Sequence, residues 1–240
     1  MGVEQLTCKT KYTLIMKTKT LIISLTVALL SIVNAATAQK TNIDGVTSIE
    51  LNLACELILV QGTTPNLEIV GEESAINDIE TKIRNGKLII SSDRNNQRKK
   101  DVVVKIEVED LDELRIGGAV DMKTIKSLNF PDFKLSVSGV GNIEMNLVSD
   151  SFSLACSGVC NLDITGSCKS LKVDVSGVGK IDATEFSATN AKVNNSGVGR
   201  INVWVTDMLE ASVSGVGSVR YAGEPMVKAD VSGLGKIRKD

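Results

Sequence analysis

The sequence predicts an all-β protein whose second half is a parallel β-helix, a solenoid of stacked coils. A short Ser-Gly-Val-Gly motif recurs six times between residues 138 and 235, once in about 19 residues. Apolar and polar residues alternate on both sides of the motif, which is typical of strands with one buried face. No 3.6-residue periodicity accompanies the motif, so helices are not expected there. An irregular, β-rich first half is expected to precede the coils and to cap them.

The six copies keep their serines and glycines in register. Successive first glycines are 19, 19, 20, 18 and 18 residues apart, and a degenerate copy, Gly117-Gly118-Ala119-Val120, lies 21 residues before the first. The residues concerned are Ser138, Gly139 and Gly141; Ser157 and Gly158; Ser176, Gly177 and Gly179; Ser196, Gly197 and Gly199; Ser214, Gly215 and Gly217; and Ser232, Gly233 and Gly235.

The repeat length decides between architectures. Leu135 and Val137 precede the first copy, and Ile143 and Met145 follow it, so each copy joins two strands. A coil with such a narrow apolar face cannot bury it alone, whereas stacked coils paired about 4.8 Å apart build a continuous core. A β-sandwich would not place one motif in register six times.

The motif residues are interpreted as structural. Glycine suits a bend that needs positive φ or close backbone approach, and serine hydroxyls can bond the neighbouring backbone. A serine nucleophile is disfavoured because the chain has no histidine to serve as its base.

The composition excludes several functions. The missing histidine rules out a Ser/His/Asp triad, a Cys/His pair and a His-ligated zinc site. The net charge is −2 and no basic block stands out, so nucleic acid is not an expected partner. We therefore expect a protein that is not an enzyme and binds no cofactor.

The N-terminus predicts export. Lys17 and Lys19 precede the apolar run 21–33, and Ala36-Thr37-Ala38 follows it, which is the order of a secretory signal peptide. We expect residues 1–38 to be this signal, with residues 1–15 upstream of a true start at Met16. The run is too short for a transmembrane helix, so no span is expected in the mature chain. The expected location is the periplasm, the outer-membrane surface or the extracellular space.

Export also permits disulfides. Cys55, Cys156, Cys160 and Cys168 remain after cleavage, and four cysteines allow three pairings, among which the sequence does not choose.

The mature chain is expected to divide into a β-rich part, 39–116, and the coils, 117–240. The last coil ends at Ile237, three residues before Asp240. We expect this end either to pair with another molecule, giving a homo-oligomer, or to be covered by the N-terminal region.

One outward file of residues has two interpretations. Glu144, Asp163 and Asp182 occupy equivalent positions and are followed by Asn202, Arg220 and Arg238. Stacked carboxylates are weak calcium-site candidates or an acid pair. The simpler interpretation is a solvated face whose charge changes sign along the solenoid.

The repeated segments resemble a known family. SGVGNI at 138–143, SGVGKI at 176–181, SGVGRI at 196–201 and SGLGKI at 232–237 are similar to the family named "putative auto-transporter adhesin, head GIN domain", exported proteins common in Bacteroidota. The resemblance covers roughly residues 41–235 and departs at Cys160, Ser218 and Val219. It implies a right-handed parallel β-helix-like fold, a surface or periplasmic location and an adhesive role.

These observations favour an exported, non-enzymatic module that binds an envelope protein or a glycan. A carbohydrate- or calcium-binding module is the alternative, with Trp204 as its candidate aromatic, although partial burial at a coil corner is the simpler interpretation of that residue. A β-helical polysaccharide-degrading enzyme is less favoured, because the chain has one Trp and two Tyr to line a groove.

Overall fold

The computed structural model describes residues 37–92 and 102–240, so residues 1–36 of the predicted signal peptide and most of the polar segment 91–100 lie outside these ranges. The described residues form eighteen strands and one four-residue helix. They are β1 Thr37–Asn42, β2 Ser48–Asn52, β3 Cys55–Gln61, β4 Asn66–Gly71, α1 Glu73–Ile76, β5 Ile79–Arg84, β6 Lys87–Ser92, β7 Val103–Val108, β8 Glu113–Ile116, β9 Ala119–Thr124, β10 Leu128–Asn129, β11 Asp132–Val137, β12 Val140–Cys156, β13 Val159–Val175, β14 Val178–Asn195, β15 Val198–Val213, β16 Val216–Ala222, β17 Met226–Val231 and β18 Leu234–Lys239.

The predicted all-β solenoid is confirmed, with about seven turns. Each long strand runs from one Ser-Gly-Val bend to the next and pairs in parallel with the strands one coil before and after it. Val140 therefore aligns with Val159, then with Val178 and Val198. The handedness stays a prediction from the family resemblance.

Strand alternation fills the interior of the coils. Leu154 aligns with Val173 and Val193, and all three side chains are fully or almost fully buried. Four phenylalanines, Phe130, Phe133, Phe152 and Phe186, form a row inside the solenoid with successive ring centroids 5.5, 5.9 and 5.9 Å apart. The period-two pattern and this row explain how a chain with 3% aromatic residues builds its core.

The bends require glycine because of close approach. An ideal Cβ on Gly158 would lie 2.0 Å from the carbonyl oxygen of Gly139, and the same distance recurs between Gly139 and Gly118. None of the motif glycines has positive φ. The first glycine of the motif therefore lets consecutive coils stack within hydrogen-bonding distance at the bend.

The first half of the chain adds coils as well as a cap. Strands β2 and β3 pair in parallel with β8 and β9 on one side and with β6 and β7 on the other. The chain order of these layers is not their spatial order, because residues 48–61 lie between a layer formed by 87–92 and 103–108 and a layer formed by 113–124. Antiparallel strands then close this end: β5 on β6, β4 on β7 and β1 on β4.

Local sequence features explain the turn between β5 and β6 in the first half of the chain. The Asn85-Gly86 turn joins β5 to β6 with φ of 51° and 73°, as a type I′ hairpin requires. Residues 76–83 contain the end of α1 and most of β5.

The C-terminal coil is exposed. Every residue of β17 is exposed, and Leu234 in β18 is 84% exposed. The expectation that the N-terminal region covers this end is wrong for the described residues, because β2 and β3 pair with the first coils at the opposite end. In the described part of the chain, no helix has the length and apolar character needed to cross a bilayer.

Candidate functional site

An open polar groove runs along the outward face of the strand segments that follow the bends. It consists of two depressions of about 440 and 590 Å³ that share Lys123, Glu144 and Asp163. The polar side chains that line this polar groove are Glu56, Asp121, Lys123, Thr124, Asn142, Glu144, Asn146, Asn161, Asp163, Thr165, Lys180, Asp182 and Glu185.

The predicted acidic file lies in the polar groove. Glu144 aligns with Asp163, and Asp163 with Asp182, so the three carboxylates occupy one position in consecutive coils. The file continues with Asn202, Arg220 and Arg238. Parallel neighbours stand about 4.8 Å apart along such a file, so the negative charges repel one another.

Calcium binding by this file stays a prediction. Among the described residues, no group of three or more His, Cys, Asp or Glu side chains is placed to hold a metal ion. The structure thus stacks Glu144, Asp163 and Asp182 along the groove without gathering them around one point.

The carboxylates of the groove differ in their partners. Lys123 pairs with Glu56, Asn142 donates to Asp121 Oδ1 at 2.7 Å, and Thr184 Oγ1 donates to Asp182 Oδ1 at 2.7 Å. The carboxylates of Glu144 and Asp163, in contrast, are exposed and have no hydrogen bond or ion pair with any residue that the structure describes. Their oxygens are available to a ligand.

The charge of this face changes sign along the solenoid. Six carboxylates and two lysines line the polar groove. Beyond it, the acidic file continues to Arg220 and Arg238. A parallel file that contains Lys180 continues to Arg200 and Lys236, so the face becomes basic towards the C-terminal coil. Arg220 is partly neutralised there, since its Nη1 lies 3.8 Å from Asp240 Oδ1.

The motif serines form an exposed file on another face. Ser138, Ser176 and Ser196 donate from Oγ to backbone carbonyls of the preceding coil at 3.3–3.4 Å. A small depression of about 210 Å³ lies beside the file, and its one carboxylate, Asp174, accepts hydrogen bonds from Asn194 and Lys172. Burial raises the pKa of Asp174, but these two bonds outweigh it and leave the pKa below its usual value. Such a carboxylate is a poor general base.

Trp204 lies outside the polar groove. Its side chain is 42% exposed and aligns with Ser187 in one neighbouring coil and with Ala222 in the next, beside the basic part of the face. Trp204 is thus an exposed residue within β15, and its expected place at a coil corner stays a prediction.

Sequence reasoning predicted the acidic file of the groove and missed its other polar residues. Asn142, Asn161 and Lys180 form a second file parallel to the acidic one. The signal for them was present as the variable residue before isoleucine or leucine in each motif. Lys123 lies one coil before Glu144, where the degenerate glycine copy obscures the register.

The whole-chain comparisons agree with this architecture. The family model described as "putative auto-transporter adhesin, head GIN domain" matches residues 45–225. Among curated proteins, none matches the chain.

Solved structures share the fold at low identity. The crystal structure of a putative adhesin from Bacteroides fragilis is 22% identical, with a TM-score of 0.79, and the match covers 85% of this chain and 96% of that one. A putative lipid binding protein from Parabacteroides distasonis is 20% identical, with a TM-score of 0.65 and coverage of 85% and 96%. A putative adhesin from the same species is 19% identical, with a TM-score of 0.65 and coverage of 87% and 98%.

Proposed function

Because the chain belongs to the family named "putative auto-transporter adhesin, head GIN domain", we propose that it is an exported, non-enzymatic adhesion or binding module of the cell envelope that engages its ligand through the polar groove. The export signal read from residues 1–38 supports this location. N-terminal sequencing of the mature protein tests it, and the expected first residue is Gln39.

The unpartnered carboxylates of Glu144 and Asp163 carry the proposal. They lie one coil apart in the middle of the polar groove, and the structure offers neither of them a donor among its described residues. Adjacent like charges in a ladder are unfavourable, and a ligand that supplies ammonium, guanidinium or hydroxyl donors removes that cost.

The same geometry supports binding over catalysis. Glycoside hydrolysis needs two carboxyl groups on opposite sides of the scissile bond, one of them held protonated by its surroundings. Glu144 and Asp163 instead repeat one exposed position on one face. The partner we favour is an envelope protein or a glycan that lies along several coils.

A carbohydrate- or calcium-binding role of the same groove is the alternative. Asn142 and Asn161 add amide groups, which are common partners of sugar hydroxyls. Among the residues that the structure describes, no aromatic ring lines the polar groove, so stacking on a sugar ring would not contribute there.

The test compares two double variants. Binding of the purified protein to a glycan array and to intact cells of the producing bacterium is measured, with calcium or with a chelator. The substitutions E144Q/D163N are expected to lower the amount of bound protein at least about tenfold, which corresponds to about 1.4 kcal/mol of binding free energy. The control D132N/D207N removes two exposed carboxylates outside the groove and should retain binding. Equal retention by both variants would contradict the groove assignment, and loss in the chelator alone would favour the calcium alternative.

A second proposal concerns the C-terminal coil. Strands β17 and β18 each pair on one side within the described chain, and Met226, Val231 and Leu234 are exposed there. We propose that a second copy pairs with this edge. Sedimentation should show a dimer for the wild type and a monomer for L234K. The control V178K, at the equivalent position three coils earlier, should leave the dimer intact. A monomeric wild type would rule this pairing out.

A further inference from the structure

Two cysteines face each other across one bend inside the solenoid. Cys156 ends β12 and Cys160 is the second residue of β13, so Ser157-Gly158-Val159 separates them. Both side chains point into the core and are 2% and 1% exposed. They are the closest pair along the sequence among the four cysteines of the described chain.

The neighbouring coils show what this bend holds elsewhere. Cys156 aligns with Val137 and Val175, and Cys160 aligns with Gly141 and Gly179. Among the six motif copies, the second glycine is replaced only at Cys160, and in the same coil the facing residue is also cysteine. Two adjacent core positions therefore change together from Val and Gly to a pair of thiols.

The bend supplies the spacing of a disulfide. An ideal Cβ on Gly141 would lie 3.2 Å from Cγ1 of Val137, and one on Gly179 would lie 2.9 Å from Cγ1 of Val175. In a disulfide, the Cβ of one cysteine lies about 3 Å from the sulfur of the other, as follows from an S–S bond of about 2.04 Å. Since Cys156 and Cys160 occupy the equivalent positions between these two coils, the same spacing suits a bridge between them.

The two thiols already interact in their reduced form. The contact with Cys160 lowers the pKa of the Cys156 thiol, whereas that contact and burial raise the pKa of the Cys160 thiol. The two thiols are therefore in contact in the folded coil.

We infer that Cys156 and Cys160 form a disulfide across the Ser-Gly-Val bend of this coil. One of the two cysteines, as its thiolate, attacks a protein or small-molecule disulfide, forms a mixed disulfide and releases one thiol. The other cysteine then loses its proton and attacks the sulfur of the first, which expels the second thiol. Two cysteine thiols are oxidised and one external disulfide is reduced to two thiols.

The burial of both sulfurs fixes when the bridge forms. An external disulfide cannot reach side chains that are 2% and 1% exposed, so exchange precedes the stacking of this coil. The bridge in cells therefore rests on the proposed export, because an oxidising compartment supplies the acceptor during folding.

The other two cysteines remain thiols. Cys55 lies in β3 and aligns with Val120, while Cys168 aligns with Ser149 and Ala188 on a different part of the coil. Burial raises the pKa of each thiol to about 12, in Cys55 with a further contribution from Asp121, so neither forms thiolate readily.

The test counts alkylated cysteines by mass spectrometry. The full chain carrying C8S is refolded in oxidised glutathione, denatured and alkylated, with and without prior reduction. The difference between the two counts is expected to be two, and it should stay two in C55S and in C168S. In C156V/C160G, which restores the Val and Gly of the neighbouring coils, the difference should be zero while the protein still folds.

Two results would overturn the pairing: a difference of zero in the refolded parent chain, or loss of the difference in C168S. A parallel sample of wild type is alkylated in whole cells at harvest, before any fractionation. A bridge in the refolded chain with none in the whole-cell sample would count against the proposed export and leave the pairing intact.

Discussion

Gly158 lies directly above Gly139, so close that an ideal Cβ on Gly158 would come within 2.0 Å of the Gly139 carbonyl oxygen. The neighbouring backbone bonds explain the approach, since the amides of Ser157 and Gly158 donate to Val137 at 2.9 and 3.2 Å and Val159 donates to Gly139 at 2.9 Å. Any side chain at Gly158 must break this stack of bends.

Replacing Gly158 with alanine should therefore destabilise the solenoid strongly. The clash is with backbone of the preceding coil, which cannot rotate away, so we expect a loss of at least about 2–3 kcal/mol in the free energy of unfolding. Urea denaturation of G158A against wild type measures it. G141A is the matched control, because its added Cβ meets only side-chain ends, at 3.2 Å, and Cys160 occupies the equivalent position in the next coil. Equal losses for the two variants would contradict the close-approach explanation.

The coil register could be predicted from the sequence, but the order of the N-terminal layers could not. Glycine spacing and period-two alternation determine which residues stack from Gly118 onwards. The coil that stacks against Gly118 from the N-terminal side has Leu53 where later coils have the first glycine. The carbonyl oxygen of Leu53 lies 2.0 Å from an ideal Cβ on Gly118. Without a glycine signature, nothing local shows that residues 48–61 lie between two segments that follow them in the chain.

The candidate site was predictable to a similar degree. The acidic file of Glu144, Asp163 and Asp182 follows from the repeat alone, because equivalent positions stack. The groove also depends on Glu56 and Lys123, whose pairing across β3 and β9 requires the layer order that the sequence leaves open.

Asn195 is a core position that breaks the repeat. It aligns with Val175 and Val213 and is 1% exposed. Neither Nδ2 nor Oδ1 of its side chain has a hydrogen-bond partner among the described residues. An unpaired buried amide is unfavourable, so N195V should raise the free energy of unfolding by about 1–3 kcal/mol. Thermal unfolding of N195V and of N194V measures this.

The N194V control should bring no gain, because Asn194 is only half-buried and donates to Asp174 at 2.7 Å. If N195V proved less stable than wild type, the amide would have to be satisfied by a group inside the coil, such as a bound water.

The phenylalanine row is expected to contribute a large part of the free energy of unfolding. Phe152 is 1% exposed and lies between Phe133 and Phe186, with ring centroids 5.9 Å from each. F152A leaves a cavity inside the coil and should cost about 3–5 kcal/mol. F152L should cost less than about 1.5 kcal/mol, because the next coil holds Leu171 at the same position. Denaturant unfolding distinguishes the two variants, and a similar cost for both would contradict a tightly packed row.

The layer contact between β2 and β6 should make stability depend on pH. Glu50 Oε2 lies 2.5 Å from Lys87 Nζ, and Asn52 donates to Glu50 Oε1 at 2.7 Å. The Lys87 bond, then the Asn52 bond, lower the pKa of Glu50 in the folded protein. A lowered folded-state pKa contributes stability that is present above the unfolded value, about 4.3, and is lost as the pH falls through the folded value.

E50Q should therefore be less stable than wild type at pH 7, by up to about 1 kcal/mol, and the difference should shrink below about pH 4. Thermal unfolding across pH 3–8 would follow this convergence. K87M should show the same loss at pH 7, and E50Q/K87M should lose less than the two single variants combined, since both remove one interaction. A difference between E50Q and wild type that stays constant with pH would mean that the ionised carboxylate does not contribute, and that Glu50 acts through packing against Lys87 alone.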